Sequence, residues 1–199
     1  MEIKQWLVLL LRQVIFYIYM KGIYTNMEIG LYFKYGTMGA PKTADALITK
    51  YKYEEIGKKV LLLKPAKATR DDQYVKSRIG CYSTCEIFEE WIKSYETNLN
   101  YDLIIIDEVQ FITEEEVETL VSIVDTKHIP IMCYGLRTNN RYHLFDASKK
   151  LFECADFIEE IENICQCGKK AIYNVKVAGD SINGEYIVCC RQCTMKYRK

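Results

Sequence analysis

The run Leu103-Ile104-Ile105-Ile106 ends in two adjacent carboxylates, Asp107 and Glu108. An unbroken apolar run of this kind, with Asp102 before it, predicts a central strand of a parallel sheet, covered on both faces. Ligands bind such sheets at the carboxyl ends of the strands. An aspartate there can hold Mg²⁺, through water, and the glutamate beside it can take the proton of an attacking hydroxyl. Standing alone, an acidic pair after an apolar strand is more often a helix cap or a solvated loop. A partner motif decides between the two.

That partner lies nearer the start of the chain, in Gly36-Thr37-Met38-Gly39-Ala40-Pro41-Lys42-Thr43. The spacing follows a phosphate-binding loop of the form GxxxxGK[ST]. In such a loop, backbone N–H groups and a helix N-terminus surround phosphates, the lysine neutralises the transferring group and the hydroxyl holds Mg²⁺. Gly36, Lys42 and Thr43 fit those roles. Pro41 takes the place of the second glycine, and proline has no N–H to offer. With this loop present, the acidic pair reads as catalytic.

A third constellation is rich in sulfur. The chain has nine cysteines, of which Cys165, Cys167, Cys190 and Cys193 form two close pairs separated by enough residues for a hairpin. Four thiolates can close a tetrahedral structural Zn²⁺ site, although the first pair has one intervening residue instead of two or more. The alternative is four unrelated buried thiols. A closed four-sulfur site leaves no open position for catalysis, so its expected role is structural. Cys81, Cys85, Cys133 and Cys154 read as buried small hydrophobes. An odd cysteine count among basic stretches suits metal binding in a reducing cytosol better than a disulfide scaffold.

The elements that must carry these residues alternate between buried strands and amphipathic helices. Strands are expected at Ile29 to Tyr35, Val60 to Leu63, Leu103 to Ile106 and Pro130 to Tyr134, and a helix from Lys42 to Glu55 that Gly57 ends. Thr113-Glu114-Glu115-Glu116 predicts a capping box, opening a helix whose core face is Val117, Leu120, Val121 and Val124. Ser83-Thr84-Cys85-Glu86 predicts another, ahead of Ile87, Phe88, Trp91 and Ile92. Short strands at Phe157 to Ile161, Ala171 to Val177 and Tyr186 to Cys190 surround the cysteines. The expected class is therefore α/β: a P-loop parallel sheet flanked by helices, over residues 28–156, with a small C-terminal zinc-binding lobe over 157–199.

Bulk numbers agree with one catalytic domain and a lobe. The chain has 199 residues, 49% of them hydrophobic, and its 27 basic and 27 acidic side chains cancel. No net field draws it to nucleic acid or an anionic membrane, so a small substrate is expected. Residues 1–27 include the apolar run Trp6 to Met20. It is short for a membrane span, is broken by Arg12 and Gln13, and lacks a small-residue cleavage site after it. A non-functional extension ahead of Met27 is the favoured reading, with a membrane-adherent helix second.

Taken in order, Gly36-Thr37-Met38 with Lys42-Thr43, Lys64-Pro65-Ala66 with Thr69-Arg70, Ser77-Arg78-Ile79-Gly80, Asp107-Glu108-Val109-Gln110-Phe111, Tyr134-Gly135-Leu136-Arg137-Thr138 and the cysteine pairs resemble the cytosolic-type thymidine kinase family. The resemblance implies a cytoplasmic homotetramer that transfers the γ-phosphate of ATP, with Mg²⁺, to the 5′-hydroxyl of thymidine or deoxyuridine. It further implies Glu108 as general base, Asp107 at the metal, Lys42 and Thr43 on phosphate and metal, and Arg70 as a cation on the transferring group. Met38, Phe111, Leu136, Phe145 and Tyr186 match positions around the base, and Gly179 to Glu185 resembles the family's loop that closes over it. Three positions depart from the pattern: Pro41 for glycine, Ala68 for an aspartate, and Asn140 for a phenylalanine. They motivate a second expectation, a catalytically impaired nucleotide-binding protein on the same fold. An ATPase coupled to nucleic acid ranks third.

Overall fold

The structure is a computed structural model that describes residues 27–68, 74–97, 99–178 and 185–197. The 1–26 part of the apolar extension, Arg70, and 179–184 of the expected substrate loop lie outside the described residues.

The large sheet contains β1 (Leu31–Gly36), β2 (Val60–Lys64), β5 (Glu86–Ile87), β6 (Leu103–Ile106), β7 (Ile131–Leu136) and β8 (Phe157–Glu160). Its order is β5-β2-β6-β7-β1-β8, and every pairing is parallel. Parallel neighbours need crossovers, and helices supply them: α1 (Lys42–Glu55), α3 (Glu114–Lys127) and α4 (Asp146–Cys154). The pleat sends alternate residues to opposite faces. Leu103 and Ile105 of β6 pack with Leu62, Met132 and Tyr134 against Ala46 and Leu47 of α1. Ile104 and Ile106 pack with Leu63, Phe33 and Cys133 against Leu120 and Val124 of α3 and Leu151 of α4. All four residues of β6 are fully buried, which is why the run carries no polar residue before Asp107.

The termini of α3 follow from its sequence. Thr113 Oγ1 accepts from the N–H of Glu116, and the Glu116 carboxylate accepts from the N–H of Thr113. His128 closes the other end in the left-handed conformation, φ 56°. Helix α1 has the expected bounds and starts directly after Pro41, whose fixed φ suits a helix entry.

Three segments differ from expectation. The Ser83 capping box does not form, because Tyr82–Thr84 is β4, paired antiparallel with β3 (Tyr74–Lys76), and Glu86 opens β5. Only Phe88–Trp91 (α2) remains helical there. Cys81 is exposed and Cys85 and Cys154 are half-buried, so of the four cysteines expected in the core only Cys133 is fully enclosed. Phe157–Glu160 is the edge strand of the large sheet and pairs with β1, so that sheet continues past residue 156. Beyond it stand the hairpin β9 (Tyr173–Ala178) with β10 (Glu185–Cys189) and the short α5 (Arg191–Thr194).

Thr113→Ala removes the cap hydroxyl and should cost about 1 kcal/mol, lowering Tm by about 2–4 °C. A thermal melt followed by circular dichroism measures this, and an unchanged Tm would contradict the cap assignment.

Candidate active site

Strands β1 and β6 are separated in the sheet by β7, yet the loops at their carboxyl ends meet. Thr43, in the first turn of α1, donates through Oγ1 to Asp107 Oδ2 at 2.9 Å. The backbone N–H of Asp107 is held by Leu63 O of β2. Asp107 is 4% exposed, and its Oδ1 is buried with no hydrogen-bond partner. Burial, and then the charge of Glu108, push its carboxyl up to about 7, against the opposing pull of Thr43 and Lys42. A buried unpaired oxygen costs about 1–3 kcal/mol. A divalent cation would take that oxygen together with the Thr43 hydroxyl, so the residues present fit Mg²⁺.

Lys42 is 4% exposed, and its Nζ donates to Thr37 O at 2.7 Å, folded back along its own loop. Burial lowers its pKa, while Glu108 and Asp107 oppose the shift. Thr37 O also accepts from the Ala40 N–H at 3.2 Å, and Lys42 N–H donates to Ala40 O at 2.8 Å. Two of the loop's backbone donors are therefore turned inward. Gly36 has no room for a side chain: a Cβ there would lie 2.5 Å from Ile161 O.

Glu108 adopts φ 56°, ψ 35°, the left-handed region that glutamate rarely enters. Gln110 holds it there. Gln110 Nε2 donates to Glu108 Oε2 at 2.5 Å, and Gln110 Oε1 accepts from Leu136 N–H at 2.9 Å. Gly135 makes room for this link, since a Cβ on it would meet Val109 Cγ1 at 2.8 Å and Gln110 Oε1 at 2.9 Å. Neither Gln110 nor Gly135 stands out in the sequence as a functional residue. Their presence in the two motifs that flank β6 and end β7 is the available signal.

Four of the five residues expected around the base are half-buried at this edge: Met38 and Phe145 in loops, Phe111 in a 3₁₀ turn and Leu136 at the end of β7. The Phe111 and Phe145 rings meet edge to face, centroids 6.2 Å apart. Leu136 is fixed by Gln110 at its N–H and by Ser148 Oγ at its carbonyl, 2.6 Å. Tyr186 stands on β10, opposite Lys176. Ala68 sits in a turn, its N–H on Pro65 O, and Asn140 is exposed at the tip of the turn that Asn139 organises.

In the C-terminal lobe the sulfurs of Cys165, Cys167, Cys190 and Cys193 all lie within 4.8 Å of one another. Cys167 and Cys190 are 3.5 Å apart. A tetrahedron of sulfurs about 2.3 Å from Zn²⁺ requires such clustering, so the donor set fits the metal. Backbone N–H groups of Cys167 and Cys190 draw the Cys165 thiol down to about 6. Cys193 is pushed up to about 12, because its thiol donates to the sulfurs of Cys167, Cys190 and Cys165. Deprotonating all four sulfurs therefore calls for a cation among them.

A family model for thymidine kinase matches residues 29–194. The chain belongs to the thymidine kinase family. The thymidine kinase of Francisella tularensis subsp. holarctica is 43% identical over 155 residues, which span 74% of this chain and 78% of that one. That of Enterobacteria phage T4 is 41% identical over 157 residues, 75% and 81% of the two chains. That of Photobacterium profundum is 34% identical over 184 residues, 81% and 94%. Among the described residues, no helix of this kinase-family chain is long and apolar enough to cross a membrane.

Two outcomes follow. The folded-state pKa of Asp107 lies above that of a free carboxyl, so its contribution to stability is complete below about pH 4 and is lost as pH rises through about 7. Asp107→Asn mimics the protonated form. In metal-free buffer it should match the native chain at pH 5 and exceed it in Tm at pH 8, and equal Tm at both pH values would contradict this assignment. Purified protein should carry one equivalent of zinc by atomic emission, and Cys193→Ser should lower that content and Tm together. Stoichiometric zinc retained in Cys193→Ser would exclude the four-sulfur site.

Proposed function

We propose that the protein is an ATP-dependent thymidine kinase that transfers the γ-phosphoryl group to the 5′-hydroxyl of thymidine or deoxyuridine and so returns nucleosides to the nucleotide pool. The observation that carries this reading is the pairing of Thr43 and Asp107 at the sheet edge, with Glu108 directly beside them. The family membership supplies the nucleoside.

Phosphoryl transfer requires positioning and charge neutralisation more than covalent help from the protein. Lys42 leaves Thr37 O for the phosphate oxygens, a move along its own loop. Mg²⁺, when bound at Asp107 and Thr43, neutralises charge on the phosphates. Glu108, fixed by Gln110, accepts the proton of the 5′-hydroxyl. Arg70 is assigned to the transferring group from its place in the family pattern. Met38, Phe111, Leu136 and Phe145 enclose the base, and Tyr186 is assigned to it from its place in the family pattern. Cys165, Cys167, Cys190 and Cys193 would hold zinc, which would brace the lobe that carries Tyr186. A cytoplasmic homotetramer is the assembly that the family pattern favours.

The inward-turned N–H groups of Ala40 and Lys42, together with Pro41, favour a second reading of weakened phosphate binding and impaired turnover. One assay separates the two. Purified protein with Mg-ATP should convert thymidine to its monophosphate, and Glu108→Gln should lower kcat by about 10²–10⁴-fold. Tight ATP binding without any product would establish the second reading. Product formed equally well by Glu108→Gln would remove Glu108 from the mechanism.

A further inference from the structure

The phosphate loop is gripped from outside by two asparagines of the C-terminal part of the chain. Asn174 on β9, 3% exposed, accepts from the Met38 N–H at 2.7 Å and donates to Thr138 O at 3.2 Å. Asn163 Nδ2 donates to both Thr37 Oγ1, at 3.2 Å, and Met38 O, at 3.0 Å. Its Oδ1 accepts from Ile164 N–H at 2.8 Å, which fixes the amide the right way round.

Both asparagines hang from the cysteine knuckle. Asn163 lies two residues before Cys165, and its carbonyl accepts from Ala171 N–H at 2.8 Å. Ala171 is buried between Cys165 and Cys190. Asn174 pairs with Val188, two residues before Cys190. A path of hydrogen bonds and close packing therefore runs from the four sulfurs to the Thr37–Met38 peptide. Thr37 O is the atom on which Lys42 rests, and Met38 is one of the residues proposed around the base.

We infer that Asn163 and Asn174 are positioning residues that clamp the phosphate loop to the cysteine lobe. A loop with Pro41 in place of glycine has fewer of its own donors, and the clamp sets from outside what the glycine-rich form sets from within. The two asparagines overlap at Met38. Asn163 holds Thr37 Oγ1 and Met38 O, and Asn174 holds the Met38 N–H and the strand end that leads to Thr138.

This inference rests on the kinase reading only for the identity of the ligands. The test measures dissociation constants for Mg-ATP and for thymidine by calorimetry, on the full chain, for the native protein, Asn163→Ala, Asn163→Asp and Asn174→Ala. Zinc content and Tm are measured alongside. Loss of one or two neutral hydrogen bonds that organise a site corresponds to about a 10-fold loss of affinity. Asn163→Ala and Asn174→Ala should each weaken both ligands, Mg-ATP by about 10-fold. Asn163→Asp keeps the acceptor for Ile164 but not the donor, and should behave as Asn163→Ala. All variants should retain zinc.

Unchanged ATP affinity in Asn163→Ala, native-like affinity in Asn163→Asp, or loss of zinc in step with loss of affinity would each overturn the clamp. Asn163 is half-buried, so its variants keep the test alive if Asn174→Ala fails to fold. Native protein that binds ATP but makes no thymidine monophosphate would refute the kinase reading and leave the clamp to be decided by these affinities.

Discussion

The hydrogen bond from Thr43 to Asp107 joins two strand ends that are not neighbours in the sheet. Between them β7 continues past the partner of Ile106 to Leu136, and Gly135 leaves room there for Gln110. Asp107 in turn must be buried deeply enough that one oxygen is committed to Thr43 and the other is left without a partner. A carboxylate in that state is destabilising by itself and raises its own pKa to about 7. A cation reverses the sign of the effect. The ionised pair is thus unfavourable without a cation and would be favourable around a metal-bound polyphosphate, which is the electrostatic condition that phosphoryl transfer requires.

Around that bond the chain accepts further local cost. Glu108 occupies a left-handed conformation worth about 1–3 kcal/mol of strain, and Gln110 holds it against relaxation from one side. Gln110 is itself held by the backbone of Leu136, the last residue of β7 and one of those proposed around the base. The proposed general base and the proposed nucleoside pocket therefore share one support. On the other side, Asn163 and Asn174 carry the geometry of the cysteine lobe to the phosphate loop. Thr43, Asp107 and Glu108, proposed to carry the reaction, lie between these two supports.

Local signals in the sequence were read correctly where local physics decides the outcome. The apolar run before Asp107, the span Lys42–Glu55 and the reciprocal cap at Thr113 all take the form that propensity and side-chain pattern demand. Ser83 carries the same cap signature as Thr113 and fails, because pairing of β4 with β3 and of Glu86 with Leu63 satisfies the backbone first. The four cysteines were legible from spacing and cluster as expected. Gln110, Gly135, Asn163 and Asn174 were not assigned roles, since each acts on a residue brought near only by the fold. Asn174 and Met38 are 136 positions apart, and nothing in a linear pattern links them.

The central claim is that Asp107 and Thr43 form the metal end of a triphosphate site. Calorimetric titration of ATP into metal-free protein, with and without Mg²⁺, for the native chain and for Asp107→Ala, tests it most directly. ATP binding should strengthen with Mg²⁺ in the native chain and lose that dependence in Asp107→Ala. Equal Mg²⁺ dependence in both proteins would contradict it.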